Sequence, residues 1–249
     1  MKEYSGKVSV IIPAYNEGHH IYVNIKETQR VFDNLGISYE IIVVDDGSTD
    51  NTLEEAREAT KSTGNLTTLA NIDNHGKGYS LKNGFNSSSG DMVLFLDADL
   101  ELHPGQIQTL YDIMMLQEAD IVIGSKRHPD SKLQYPWHRR FVSAVYFFLI
   151  KILFGLPIKD TQTGIKLFKA EVLRKVFPKV LVKRYAYDLE TLVLAHHFGY
   201  KIAEAPVVLV FKAKLGSVGL SSIFYTWWDT MAVFYRMHIL KYYDKDEKK

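Results

Sequence analysis

Five short apolar runs punctuate the first half of the chain: Val8–Ile12, Glu40–Val44, Leu66–Leu69, Met92–Leu96 and Ile121–Ile123. Each is bounded by turn-forming residues and is too short for a buried helix, which predicts strands. The stretches between them, about Glu17–Leu35, Thr52–Lys61, Gly78–Asn86 and Pro104–Leu116, read as helices. Strand and helix alternating at this spacing predict a mostly parallel α/β sheet covered on both faces, because parallel neighbours need a crossover between them. Ligands of such sheets bind beyond the carboxyl ends of the strands. The residues that follow each apolar run are therefore the first place to look for chemistry.

The second half is less regular. Pro129–Arg140 reads as a polar loop, Phe141–Leu156 as a helix and Asp160–Phe168 as a loop entering a strand. A helix near Asp188–Phe198, a strand near Ile202–Phe211 and a long terminal helix, about Ser217–Tyr243, follow. No Pro/Gly/Ser linker separates the halves, so the expected organisation is one domain over 1–216 with an amphipathic helix and charged tail appended over 217–249. Thirty Lys and Arg against 29 Asp and Glu leave no global basic field, which argues against a nucleic-acid partner. The absence of cysteine excludes a disulfide framework, a thiol nucleophile and thiolate metal sites.

Three of the expected strands run directly into polar signatures: Pro13-Ala14-Tyr15-Asn16-Glu17, Asp45-Asp46-Gly47-Ser48-Thr49-Asp50 and Asp97-Ala98-Asp99-Leu100-Glu101. If the third stays extended, Asp97 and Asp99 project from one face. Two carboxylates about 6 Å apart at an effective dielectric near 20 repel by roughly 3 kcal/mol, so the pair calls for a cation. Oxygen ligands with open positions suit Mg²⁺ or Mn²⁺ carrying substrate phosphates. Taken alone, Asp45–Ser48 reads equally well as a turn and helix cap. On successive parallel strands, the acids together argue for a nucleotide-diphosphate site. No Gly-x-Gly-x-x-Gly follows the first strand, and Asn74-His75-Gly76-Lys77-Gly78 lacks the Gly-Lys-Ser/Thr ending of a P-loop.

Val8–Glu17, Glu40–Asp50, Gly76-Lys77-Gly78 and Asp97-Ala98-Asp99, in this order, resemble family 2 inverting glycosyltransferases of the GT-A fold. The resemblance implies a nucleotide-sugar half over 1–105 and an acceptor half over 106–216. It implies that Pro13, Ala14, Tyr15 and Glu17 flank the base and ribose, that Asp45 or Asp46 holds the base or ribose, and that Lys77 belongs to the same site. Asp97 and Asp99 would hold the metal diphosphate, with Mg²⁺ or Mn²⁺ as cofactor. In the second half, Gly124–Arg127, Arg139–Ser143, Asp160–Phe168, Tyr187–Glu190 and Ile202–Val207 resemble the polyprenyl-phosphate (dolichyl-phosphate) mannosyl and glucosyl synthases. The Gln-x-x-Arg-Trp signature of processive polysaccharide synthases is missing. Mannosyl enzymes often have Gln where this chain has Glu101, which adds a third candidate metal carboxylate.

The expected reaction is inverting transfer of one sugar from a nucleotide diphosphate to a polyprenyl phosphate, with GDP-mannose narrowly ahead of UDP-glucose. The other readings are a transferase acting on a soluble glycan and a nucleotide-sugar-binding scaffold without turnover. A phosphate monoester with its second pKa near 6 is largely dianionic at neutral pH, so no strong general base is required. Cations must align it instead. Lys126, Arg127, Arg139, Arg140, Lys212 and Lys214 are available, with Arg140 and Lys214 leading and Arg140 grouped with Asp97 and Asp99 as catalytic. Asp160, Gln162, Asp188 and Glu190 are sugar-pocket candidates, although Asp188 also suits a helix N-cap.

No run reaches the about 20 uncharged apolar residues of a membrane span. A polyprenyl acceptor would then be met at the bilayer surface, by Phe141–Leu156 and by a terminal stripe of Leu220, Phe224, Trp227, Trp228, Met231, Phe234, Tyr235, His238 and Tyr242. The alternative is packing on the core or on a partner. The expected location is the cytoplasmic face of a membrane, peripherally bound.

Overall fold

The computed structural model describes residues 6–61, 64–133, 137–184, 186–209 and 220–245. The five expected strands are present as β1 (Lys7–Ala14), β2 (Ser38–Asp45), β3 (Leu66–Ala70), β4 (Met92–Leu96) and β5 (Ile121–Ser125). Between them lie α1 (Ile21–Leu35), α2 (Thr52–Thr60), α3 (Lys77–Asn86) and α4 (Ile107–Leu116). Ile21, Ile25, Thr28 and Phe32 recur at helical spacing and bury one face of α1, which ends at left-handed Gly36. Beyond β5 come β6 (Lys132–Leu133), α5 (Trp137–Phe154), β7 (Ile165–Lys169), α6 (Ala170–Val176), α7 (Tyr187–His197), β8 (Ile202–Pro206), β9 (Val208–Leu209) and α8 (Leu220–Phe234).

The main sheet runs β3-β2-β1-β4-β7-β5-β8, and β6 pairs with β9 apart from it. Every neighbour is parallel except β7, which lies antiparallel between β4 and β5. Ile165 pairs with Leu96, so β7 starts where β4 stops. The Asp160–Gly164 loop is thereby delivered to the same sheet edge as the acids that follow β4.

Both faces are covered. Val8, Val10 and Ile12 pack with Ile25 and Phe32 of α1 and Leu110 of α4. Ile11, Val93 and Phe95 face the other way, toward Leu81 of α3, Leu173 of α6, Leu192 of α7 and Val233 of α8. Alternation at period two assigns these side chains to opposite layers.

The terminal helix is shorter than expected. After α8 the chain makes a π-helical turn at Tyr235–Ile239, passes through left-handed Lys241 (φ 46°) and ends in a 3-10 turn at Tyr242–Asp244. Thr230, Val233 and Tyr243 are buried, so the described residues 220–245 join the second core layer. Tyr146 and Thr230 share a hydrogen bond of 3.0 Å across α5 and α8. Phe234 lies between Phe154 and His238. The expected single aromatic stripe is therefore divided: Phe234 is half-buried against Phe154, whereas Trp227, Trp228 and Tyr235 stay exposed. On α5, Phe148 and Ile152 are also exposed. Among the described residues, no helix is long and apolar enough to cross a membrane.

Candidate active site

A cleft of about 340 Å³ opens at the carboxyl edge of the sheet. Pro13, Ala14, Tyr15 and Glu17 line it after β1, Asp46 after β2, Asn74, Gly76 and Lys77 before and at the start of α3, and Asp97 to Asp99 after β4. The structure thus brings together every expected nucleotide-sugar residue except Asp45. That carboxylate is 3% exposed and sits behind the cleft. Its Oδ2 accepts from the Ser48 N–H at 3.3 Å, and its buried Oδ1 has no partner.

Much of the motif chemistry is scaffolding. Asn16, at φ 55°, donates its N–H to Ser48 Oγ and accepts from the Thr49 N–H at 2.9 Å. The Glu17 N–H donates to Thr52 Oγ1 and the Gly18 N–H to Asp50 Oδ2. These bonds join the loops after β1 and β2 into one wall. Asp46 accepts from Asn71 Nδ2 (2.8 Å) and from the N–H groups of His75 (3.2 Å) and Gly76 (2.7 Å). It holds the loop before α3 in place from within the cleft lining. Gly76 is obligatory there: at φ 96°, an added Cβ would lie 2.7 Å from the Lys183 carbonyl oxygen.

The Asp97-Ala98-Asp99 segment is a turn, not the extended continuation considered from the sequence. The Leu100 N–H donates to the Asp97 carbonyl oxygen at 3.3 Å, and Leu100 takes the left-handed conformation at φ 49°. Asp99 Oδ1 accepts from the Glu101 N–H at 3.0 Å. Among the described residues no three acidic or histidine side chains converge as a metal-ligand set, so Glu101 does not complete a triad with Asp97 and Asp99. The Lys77 ammonium pairs with Asp97 Oδ1. Burial works against that charge, but Asp97, Asp188 and Asp99 outweigh it and raise the Lys77 pKa. A cation already sits on this turn. Asp97 and Asp99 are hard oxygen donors of the kind a divalent metal ion bearing diphosphate oxygens takes, and the Lys77 ammonium occupies one of their oxygens.

Directly behind, Lys166 on β7 is 2% exposed, and its Nζ donates to Asp188 Oδ1 at 2.6 Å and to the Thr163 carbonyl at 2.5 Å. Burial lowers its pKa. Asp188 is therefore a buried counter-ion in the first turn of α7 and makes no cap; the residue in the cap position is Ala186. Sequence reasoning missed Lys166; the signal was a lysine between Ile165 and Leu167 in a core strand. Glu190, wholly buried, accepts from the N–H groups of Leu181 and Val182 and pairs with Arg236 and Tyr243, so it ties α7 to the terminal segment.

The acceptor candidates are only partly placed. Asp160 accepts from the Lys126 N–H at 3.1 Å and from the Gln162 N–H, joining two loops, while Gln162 is exposed. Asp160, Gln162 and Asp188 lie outside the cleft lining. The Arg127 guanidinium stands 5.2 Å from the Phe147 ring centroid. Arg139 and Arg140 lie on α5, but their side chains, and all of Lys212 and Lys214, fall outside the described residues. A second cavity, of about 390 Å³, shares Asn74 with the cleft and is bordered by Lys183, Arg184 and Arg236.

Residues 9–177 match the profile of the family described as Glycosyl transferase family 2. A dolichyl-phosphate beta-glucosyltransferase of Trichomonas vaginalis is 34% identical over 208 residues, covering 79% of this chain and 62% of that protein. A dolichyl-phosphate beta-glucosyltransferase of Dictyostelium discoideum is 34% identical over 213 residues, covering 80% of this chain and 65% of its own length. The chain thus spans less than two thirds of each of these relatives. Among solved structures, the glucosyl-3-phosphoglycerate synthase of Mycobacterium tuberculosis, crystallised with Mn²⁺, uridine diphosphate and phosphoglyceric acid, superposes with TM-score 0.71 at 20% identity, covering 93% of this chain and 78% of that one. The mannosyl-3-phosphoglycerate synthase of Rubrobacter xylanophilus gives 0.72 at 16%, covering 97% and 76%. These likenesses establish the GT-A fold.

Proposed function

The chain belongs to glycosyl transferase family 2, and on that footing we propose that it transfers a single glucose, with inversion, from UDP-glucose to a dolichyl or related polyprenyl phosphate. The observation that carries the reading is the cleft itself, where four separate sequence blocks meet around the Lys77–Asp97 pair. The dolichyl-phosphate glucosyltransferase relatives favour glucose and so displace the mannose donor that narrowly led on sequence alone. The mycobacterial structure with Mn²⁺ and uridine diphosphate supports a divalent cation beside a nucleoside diphosphate in this fold.

In this reading Asp97 and Asp99 hold Mg²⁺ or Mn²⁺, which when bound supplies charge compensation for the departing diphosphate. Lys77 adds a positive charge on the same side. Tyr15 and Pro13 form the wall against which the base lies. The acceptor phosphate is its own nucleophile, so the protein's task is to align it. Lys126, Arg127, Arg140 and Lys214 remain the proposed acceptor cations. The exposed rings of α8 and the apolar face of α5 support contact with a lipid surface, where the acceptor resides. The test is incubation with dolichyl phosphate, Mn²⁺ and either labelled UDP-glucose or labelled GDP-mannose, followed by lipid extraction. Label from UDP-glucose supports the reading; label from GDP-mannose alone overturns the donor assignment.

A further inference from the structure

The Lys77 ammonium occupies Asp97 Oδ1, an oxygen of one of the two carboxylates proposed to hold the metal, and three features make it a competitor for that ion. The backbone around Lys77 is fixed from both sides. Asp46 holds the His75 and Gly76 N–H groups, and the Lys183 carbonyl accepts from the Gly78 N–H at 2.9 Å. Only the side chain of Lys77 is left to move. Asp97, in turn, faces inward with one oxygen: a Cβ on Gly164 would fall 2.1 Å from Oδ2. The other oxygen, Oδ1, is the one paired with Lys77. Ammonium and metal therefore contend for a single carboxylate oxygen. Behind them Lys166 pairs with Asp188 at 2.6 Å, and the Asp188 charge also favours the Lys77 ammonium from a distance.

Resting on the donor-site reading above, we propose that Lys77 is a stand-in cation that keeps Asp97 closed to divalent metal until a nucleoside diphosphate arrives to take the ammonium. Lys77 is then a positioning residue that couples the two ligands. Metal alone binds weakly, because the Asp97 pair must first be broken. With a diphosphate in the cleft the ammonium moves onto phosphate oxygen and frees Asp97. By linkage, metal strengthens nucleotide binding by the same factor. The device lets the cleft discriminate a metal-bound nucleoside diphosphate from either component alone.

The experiment titrates Mn²⁺ into the full chain, reading free Mn²⁺ by electron paramagnetic resonance, with and without UDP. Wild type, Lys77→Met and Lys77→Arg are compared. Expected is Mn²⁺ binding by Lys77→Met alone about two- to five-fold tighter than by wild type, the factor released when a partly exposed ion pair no longer competes. The enhancement by UDP should shrink correspondingly in Lys77→Met and persist in Lys77→Arg, which keeps the cation. Mn²⁺ binding by Lys77→Met no tighter than wild type, with the UDP enhancement intact, overturns the inference alone. Absence of any UDP effect on Mn²⁺ binding by wild type overturns the donor-site reading and the inference together.

Discussion

Replacing Lys166 by methionine removes the ammonium from the most enclosed ion pair behind the cleft. The carboxylate of Asp188 stays buried and loses the partner at 2.6 Å, and the Thr163 carbonyl loses its donor at 2.5 Å. Breaking one side of a buried pair costs about 3–5 kcal/mol, because the remaining charge is left without compensation. For a chain of this size that corresponds to a fall in Tm of roughly 6–20 °C. A double variant, Lys166→Met with Asp188→Leu, removes both charges and should recover all but about 1–2 kcal/mol of the loss. Urea denaturation of the wild type, both single variants and the double variant gives the coupling directly. A single variant within about 1 kcal/mol of wild type, or a double variant no better than Lys166→Met, would refute the view that these two residues compensate each other's buried charge.

Asp46→Ala should cost about 2–3 kcal/mol in the same assay with or without UDP, since three N–H groups lose their acceptor; unchanged stability with lost UDP affinity would make Asp46 a ligand contact instead. Burial alone would raise the pKa of Glu40, but the Ser9 hydroxyl, the Ser89 N–H and Lys7 together hold it below the ordinary 4.5. A depressed carboxylate adds stability above its unfolded value and loses it as pH falls through the folded one. The gap between wild type and Glu40→Gln, about 1–2 kcal/mol at neutral pH, should therefore close on acidification below 4.5; a gap independent of pH contradicts the assignment. Replacing exposed Trp227 and Trp228 together by serine should weaken binding to dolichyl-phosphate vesicles by at least about ten-fold while leaving UDP binding intact, as read by vesicle co-sedimentation; equal sedimentation of both proteins counts against a lipid-facing α8.

The first half of the fold was legible because its signals are local. Each apolar run becomes a strand of its own, and the residues that follow it must emerge at the same sheet edge when neighbours are parallel. What separates ligand contacts from scaffolding is not local. Asp45 and Asp46 are adjacent, yet only Asp46 lines the cleft, and its oxygens are directed to a loop some 25–30 positions away. The turn at Asp97 likewise depends on Gly164, which arrives from the loop leading into β7. The antiparallel insertion of β7 escaped sequence reasoning for the same reason: strand direction is set by where the chain re-enters the sheet, and Ile165–Lys169 alone carries no mark of it. Lys166 and Asp188 are polar residues at core positions, and a pattern of apolar runs cannot pair a residue of β7 with one of α7. The terminal helix was recognised by its aromatics, but its division between Phe234, packed on Phe154, and Trp227 and Trp228, left exposed, follows from contacts with α5.

The central claim is that Asp97 and Asp99 make this cleft a metal-dependent sugar-diphosphate site serving a polyprenyl phosphate. The direct measurement is Mn²⁺-dependent incorporation of labelled glucose from UDP-glucose into extractable dolichyl phosphate by wild type and by the Asp97→Asn, Asp99→Asn double variant. The account predicts transfer by wild type, its loss on chelation, and a drop of at least about 100-fold in the folded double variant. Transfer by the double variant at the wild-type rate would contradict it.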